Sequence, residues 1–287
     1  MNNSIKIIEC PRDAMQGITE FIPTADKITY INSLLKCGFD TIDFGSFVSP
    51  KAIPQMRDTA SVLKGLELNN TTKLLAIVAN ERGAKDALEF DEINCLGFPF
   101  SISEQFQQRN TNSSIADAFD SVSQIKELCD QKGKELVIYL SMGFGNPYGE
   151  EWSPVLALTW AEQLVNKLGI TTLALSDTIG CASAENVRGL FELFSKELPS
   201  TELGAHFHVK PNHSSPLLDA AYFAGCRRFD VAMKGMGGCP MAKDELIGNL
   251  GTEELLLWLA LNNIDNMLDM HSFSLAEKQA RQLFNIH

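Results

Sequence analysis

The feature that most restricts the fold is a regular alternation, in which short apolar stretches of strand length are each followed by a longer amphipathic one. Strands are predicted over 5–9, 41–44, 73–78, 92–96, 135–141, 172–176, 203–207 and 228–232. Helices are predicted over 25–36, 55–64, 114–132, 154–167, 184–196 and 215–224, with 252–261 closing the series. Thr24 precedes the first helix as a cap, Ser153 and Pro154 open another, and Gly38 and Gly225 stand where two should stop. No Pro/Gly/Ser-rich linker divides the chain, so residues 1–287 are expected to form one domain. The count is that of an α/β fold, a (β/α)8 TIM barrel, and the helical spacing of 275–284 predicts an extra C-terminal segment packed outside it. An open doubly wound sheet is the alternative, but no Gly-x-Gly-x-x-Gly follows the first strand.

With 287 residues, 45% of them hydrophobic and 21% charged, the chain can bury the core of such a barrel. A formal net charge of −12 argues against nucleic acid or an anionic membrane as partner, because phosphate binding needs a basic surface. Seven cysteines without regular spacing fit free thiols in a reducing compartment. The first four residues run directly into an apolar strand, leaving no room for a signal peptide, and no apolar run approaches the ~20 residues of a membrane span. A cytoplasmic location is the expectation.

The residues able to do chemistry gather where strands are predicted to end: Arg12 and Asp13, Asp43, Ser141, Asp177, His206 and His208, and the segment from Lys234 to Cys239. In a barrel those ends share one face. His206 and His208 stand at i and i+2 in a chain with five histidines, so a strand would aim both imidazoles at one point, as a divalent ion requires. Imidazole with carboxylate and amide oxygens suits Mg²⁺, Mn²⁺ or another borderline ion, whereas a closed structural zinc site would want more sulfur. Arg12 and Asp13 are open between a surface ion pair and a third ligand beside a cation that faces an anion. Cys239 follows Gly235, Gly237 and Gly238, read here as a flexible loop that could swing a thiol in as general acid or base, with Lys234 favouring the thiolate. Cys37, Cys95, Cys129 and Cys226 suit the ordinary role of small buried hydrophobes. Asn249 is open between a helix cap and an amide oxygen for a metal, and Asp177 between a turn and a carboxylate behind the ligands.

Taken jointly and in order, these segments resemble a known family. The run from Cys10 to Gln16 is similar to its Gly-Pro-Arg-Asp-Gly-Leu-Gln, and 46–51, 54–56, 177–180, His206-x-His208, 237–240 and 248–250 follow its pattern as well. It is the family of 3-hydroxy-3-methylglutaryl-CoA (HMG-CoA) lyases, metal-dependent TIM-barrel enzymes, and the resemblance runs from about Ile5 to Leu261. It implies retro-Claisen cleavage of HMG-CoA to acetyl-CoA and acetoacetate, with Mg²⁺ or Mn²⁺ on Asp13, His206, His208 and Asn249. It further implies that Arg12 stabilises the thioester enolate oxygen, a role worth on the order of 3 kcal/mol. Cys239 would close over the site and take part in proton transfer, Asp43 would help position the site, and His206 is carried over as catalytic as well as metal-binding. Gln16 and Asp177 complete the set as groups expected to contact the bound cofactor. The implied partners are an acyl-CoA substrate and further copies of the chain, as a dimer or larger.

The departures from that pattern are specific. Asp43 stands for Glu, and Phe44-Gly45 for Thr-Thr. Val209-Lys210-Pro211-Asn212 replaces Asp-Thr-Tyr-Gly after the second histidine, which removes a carboxylate expected behind the metal. Gly17-Ile18-Thr19 replaces Asn-Glu-Lys and its positive charge, and 141–147 lacks the family's cysteine-containing turn. These changes leave open a paralogue acting on a different 3-hydroxyacyl-CoA or hydroxy acid, and an inactive acyl-CoA-binding relative. A Claisen synthase is disfavoured by the cysteine in the glycine loop.

Overall fold

The computed structural model describes residues 5–238 and 247–286. Its strands are β1 (Lys6–Glu9), β2 (Thr41–Ser46), β3 (Lys73–Ile77), β4 (Cys95–Ser101), β5 (Glu135–Ser141), β6 (Thr172–Asp177), β7 (Glu202–Phe207) and β8 (Arg228–Val231). They pair in parallel in sequence order, and β8 pairs back onto β1 to close the barrel. The helices are α1 (Pro11–Gln16), α2 (Thr24–Leu35), α3 (Thr59–Lys64), α4 (Glu81–Ala87), α5 (Glu104–Thr111) and α6 (Ile115–Lys132). There follow α7 (Pro154–Leu168), α8 (Ala184–Glu197), α9 (Ser215–Phe223), α10 (Thr252–Leu261) and the additional C-terminal helix α11 (Met270–Leu283). None of these helices is long and apolar enough to cross a membrane.

Alternate strand residues divide between two environments, as the period of a strand requires. Ile7, Ile42, Phe44, Leu74, Leu96, Phe98, Ile138, Leu173 and Phe207 face the helices in one continuous core. The other set fills the barrel, where Leu75, Ile77, Cys95, Val137, Tyr139 and Ala174 form a smaller apolar plug. The N-terminal end is closed by ion pairs, Lys6 and Arg228 with Glu202 and Lys73 with Glu135. The polar residues therefore collect at the opposite, C-terminal end.

Two element boundaries differ from expectation for physical reasons. β4 runs from Cys95 to Ser101 rather than over 92–96. Asn94 is spent on the backbone of Leu74, and the strand continues through Gly97 and Pro99, residue types that weaken a strand signal. Gly97 is needed there, since a Cβ would lie 2.6 Å from Ile77 and 2.9 Å from Tyr139 inside the barrel. α11 begins at Met270, where the Asp269 side chain caps the Ser272 N–H, five residues before the predicted start. Among the predicted caps, Ser153 accepts from the Leu156 N–H as expected, whereas Thr24 is the first helical residue and bonds to Asp58.

The barrel seam is fastened by Glu9, which is fully buried at the end of β1. One of its oxygens accepts the Met233 N–H at 2.8 Å and the other the Thr252 hydroxyl at 2.6 Å, joining β1 to the turn after β8 and to the start of α10. Burial pushes the Glu9 carboxyl up from 4.5 to about 8 in spite of these two hydrogen bonds. A carboxyl raised on folding binds its proton more tightly in the native state, so its contribution is present below its unfolded pKa and is lost as pH rises through the folded one. Stability should fall between about pH 4.5 and 8, by at most roughly 1.4 kcal/mol per pH unit from this group. In thermal melts at about pH 5 and about pH 9, Glu9→Gln is expected to gain on the parent protein as pH rises. A pH-independent difference between the two would remove Glu9 as the titrating group.

Candidate active site

The site starts at the turn from β1 into α1. Pro11 at the first helical position has no N–H to leave unpaired, and the short helix that follows turns Arg12, Asp13 and Gln16 toward the barrel mouth. Arg12 is almost completely buried, and its guanidinium is shared among three side chains. Nε donates to both Asp43 oxygens at 3.0 and 3.2 Å, and Nη2 donates to Asp43 again. Nη1 donates to Asp13 Oδ1 at 2.8 Å and to Gln16 Oε1 at 2.9 Å. Of the five guanidinium N–H groups, one on Nη2 stays outside these bonds, in a side chain that lines a cavity. Burial works against ionisation of Asp13, but Arg12 and the facing histidines hold its carboxyl well below the usual range. Asp43, with no solvent contact, is pushed up by burial to about 6 against the pull of Arg12.

His206 lies within β7 and His208 just beyond it, so both side chains point into the barrel mouth. His208 Nδ1 bonds to the Thr178 carbonyl at 2.9 Å, which makes Nδ1 the donor. Its buried Nε2 has no hydrogen-bond partner among the described residues, and Asp13 Oδ2 lies 3.9 Å away, beyond hydrogen-bond range. His206 Nδ1 meets Asp230 Oδ2 at 3.3 Å. Donor atoms of Asp13, His206 and His208 all lie within 4.8 Å of one another. A bare imidazole nitrogen facing a carboxylate is satisfied by a cation between them, and the oxygen and nitrogen donors fit a Mg²⁺- or Mn²⁺-type ion.

Asn249 arrives by strand-like pairing rather than as a cap. It bridges antiparallel to His208, while the flanking Val209 and Leu250 N–H groups bond to Gly248 and Phe207 carbonyls. Its amide nitrogen donates to Asp13 Oδ2 at 2.7 Å and to the Met236 carbonyl at 2.8 Å, and α10 is capped by Gly251 without it. Asp177 resolves toward the turn reading: its two oxygens accept the Cys181 and Ala182 N–H groups, both at 2.9 Å, and it is not among the residues lining the cavity. Gln16 does line the cavity and also donates to Asp13 Oδ1.

The glycine segment is packed rather than flexible, which corrects the expectation drawn from its composition. Gly237 has φ +101°, and a Cβ there would lie 2.5 Å from Asn249 Nδ2 and 2.7 Å from the Asp13 carbonyl. Lys234 is engaged by Glu253 at 3.2 Å and by Glu277 of α11, so its charge serves the C-terminal helix. Cys239 lies outside the described residues. Asp230, which the sequence reading missed, supplies His206 with the backing carboxylate that Val209 cannot. Nothing in its own stretch of sequence signals this role, which comes from register with His206 of β7.

Above these groups is a cavity of about 400 Å³. Ser46, Ser141, Ser176 and Thr178 add hydroxyls to its wall, Ile53 and Ile77 apolar surface, and the exposed Arg109 a second guanidinium at the rim. Phe44 and Val209 both turn into the helix-facing core, and Gly45 sits at a bulge where a Cβ would collide with Thr59 at 2.4 Å. These departures are therefore packing solutions. Gly237→Ala is expected to displace Asn249 and Asp13 together and to weaken Mn²⁺ binding, measured by calorimetry, with little change in circular dichroism. Unaltered Mn²⁺ affinity would show that the close approach is not needed.

The HMGL-like family model matches residues 5–279. A Pseudomonas aeruginosa 3-hydroxy-3-isohexenylglutaryl-CoA/hydroxymethylglutaryl-CoA lyase is 33% identical over 93% of this chain and 89% of its own length. A Bacillus subtilis hydroxymethylglutaryl-CoA lyase is 32% identical over the same shares. The crystal structure of the Bacillus subtilis HMG-CoA lyase superposes with a TM-score of 0.92 at 31% identity, covering 99% of this chain and 94% of that one. An Acinetobacter baumannii HMG-CoA lyase, solved with coenzyme A and 3-methylmalate, gives 0.91 at 30% identity, covering 99% and 92%. With the match spanning nearly the whole barrel and its mouth, the chain belongs to the HMGL-like family, whose named relatives here are lyases.

Proposed function

We propose that this protein cleaves HMG-CoA into acetyl-CoA and acetoacetate. The observation that carries the reading is the convergence of Asp13, His206 and the unpartnered His208 Nε2 beside a guanidinium locked by Asp43, at the floor of a cavity. Asp13, His206, His208 and Asn249 are the residues that would hold a divalent ion, Mg²⁺ or Mn²⁺. Such an ion, when bound, supplies Lewis acidity to the substrate's hydroxyl and carboxylate oxygens.

The chain's own groups account for the remaining chemistry. His206, with Nδ1 turned to Asp230, has Nε2 left for an ion and so would orient the 3-hydroxyl, whose proton leaves to solvent in the cavity. As the C2–C3 bond breaks, C3 becomes the ketone of acetoacetate and the electron pair passes into the thioester enolate. The free N–H on Arg12 Nη2 receives the charge on the enolate oxygen. Asp43, Asp13 and Gln16 prevent the guanidinium from turning away, so this donor is oriented before reaction. A proton on the enolate carbon then completes acetyl-CoA, and Cys239 is the proposed donor, because it follows directly on a glycine segment packed against Asp13 and Asn249. Arg109 at the rim is the cation suited to the phosphates of coenzyme A, in a chain that has Thr19 where the family pattern has Lys. Since Phe44 and Val209 do not face the cavity, they give no reason to assign a different acyl-CoA. We place this chemistry in the cytoplasm.

Purified, reduced protein with Mg²⁺ or Mn²⁺ should release acetyl-CoA and acetoacetate in equal amounts, and EDTA should abolish the release. A folded, metal-loaded protein that leaves HMG-CoA intact would refute the assignment. His208→Ala should lose Mn²⁺ retention, read by electron paramagnetic resonance, together with nearly all turnover. Normal Mn²⁺ binding by that variant would strike His208 from the ligand set. Arg109→Gln is expected to raise KM for the acyl-CoA about tenfold, the loss of roughly 1.4 kcal/mol of binding, while kcat holds. An unchanged KM would place the phosphates elsewhere.

A further inference from the structure

One layer deeper in the barrel lies a second group of donors. Cys10 directly follows β1, at the position where the family pattern has glycine, and it is only 1% exposed. Among the described residues its sulfur has one weak hydrogen bond, to the Ile8 carbonyl at 3.6 Å. Asp230 of β8 is in register with Ile8 of β1 on one side and with His206 of β7 on the other. Cys10, Asp230 and His206 thus project from three adjacent strands, and a donor atom from each lies within 4.8 Å of the other two. The Asp230 side chain is 0% exposed. Its Oδ2 meets His206, while its Oδ1 has no hydrogen-bond partner among the described residues and has Arg228 Nε only at 3.9 Å. Arg228 thus stands at ion-pair range of Oδ1, and Oδ2 is the oxygen that faces His206 and could bind a cation there.

We propose that Cys10, His206 and Asp230 form a second, thiolate-containing cation position that shares His206 with the Asp13, His206 and His208 site and takes a thiophilic divalent ion of the zinc type. Sulfur, imidazole and carboxylate together are a zinc or cobalt donor set, whereas Mg²⁺ avoids sulfur. Zinc bonds of about 2.0–2.3 Å put tetrahedral donors roughly 3.5 Å apart, a spacing His206 and Asp230 already have at 3.3 Å, so the approach needed is that of the Cys10 sulfur. On binding, the Cys10 S–H bond breaks, its proton leaves to solvent, and the sulfur electron pair bonds the ion, with no change in oxidation state. Burial, with Asp230, Asp43 and Asp13 around the sulfur, pushes the Cys10 thiol well above its ordinary range, so a thiolate stands there only with an ion bound. Because His206 is common to both positions, an ion drawn to the deeper one takes a ligand from the upper one, and zinc would inhibit where Mg²⁺ or Mn²⁺ supports turnover.

Cobalt(II) tests this without reference to activity, because a thiolate–cobalt bond gives a near-ultraviolet charge-transfer band that nitrogen and oxygen ligands do not. The host is the full-length Cys239→Ser protein, which lacks the thiol proposed above as proton donor. It should show the band on adding Co²⁺, Zn²⁺ should bleach it, and Mg²⁺ should not. Adding Cys10→Ala to that background should abolish the band while Mn²⁺ binding, read by paramagnetic resonance, persists. Should the alanine variant not fold, Cys10→Gly, the residue of the family pattern, takes its place. No band in the Cys239→Ser protein, which keeps Cys10, would overturn the proposal, as would a band that survives the loss of Cys10. Neither result depends on whether HMG-CoA is the substrate.

Discussion

The Asp13 carboxylate is the point on which the rest of the site depends. One oxygen takes Arg12 and Gln16, the other takes Asn249 and faces the bare nitrogen of His208. A buried carboxylate must be paired or it neutralises itself, and here the pairing holds together segments that are 236 positions apart in sequence. Arg12 alone cannot satisfy it, because Asp43 claims the Nε/Nη2 edge of the same guanidinium. What remains is a demand for positive charge on the His208 side, which a proton or a metal ion can meet. Burial works against a charged His208, but Asp13 opposite it raises its affinity for a proton, the same electrostatic pull that favours an ion there.

That arrangement follows from how the barrel distributes its residues. The helix-facing strand residues are apolar, so stability is carried by a continuous core outside the barrel. The inside is then free to be polar at one end, provided that each charge has a partner. Lys6, Arg228 and Glu202 close the bottom, an apolar plug of Leu75, Val137 and Ala174 separates it from the top, and the charged mouth sits above. Glu9 works from the other side of the sheet. By holding Met233 and Thr252 it sets where the chain leaves β8 and enters α10, and so where Gly237 and Asn249 can stand.

The sequence displayed this plan unevenly, and the reasons are physical. Strand number and barrel closure were legible because periodicity is a local property of the chain, and so was the placing of Arg12, Asp13, His206 and His208 at strand ends; Asn249 joined them only through the family resemblance. The extent of β4 was hidden because Gly97 and Pro99 are dictated by packing against Tyr139 and by the cavity wall, not by strand propensity. Asp230 was invisible for a related reason, since its role is set by register with His206 on a neighbouring strand and not by any neighbour in sequence. The glycine segment misled in the opposite direction. Composition suggests freedom, yet Gly235, Gly237 and Gly248 are small because the Asn249 and Gly235 backbones and the Asp13 carbonyl leave no space for a Cβ.

Close packing of that segment bears on how a thiol at position 239 can act. Gly237 lies where a Cβ would collide with Asn249 and the Asp13 carbonyl, and the Met236 carbonyl beside it accepts from Asn249, so the segment is placed by a residue that would hold the ion. A shift of Asn249 on binding an ion would pass to the segment through that hydrogen bond. A proton donor is needed only once the enolate has formed, and in the proposed role Cys239 would follow a segment that Asn249 positions. Cys10 directly follows strand β1 and is buried there, whereas Cys239, the proposed donor, follows in sequence on a segment bonded to Asn249.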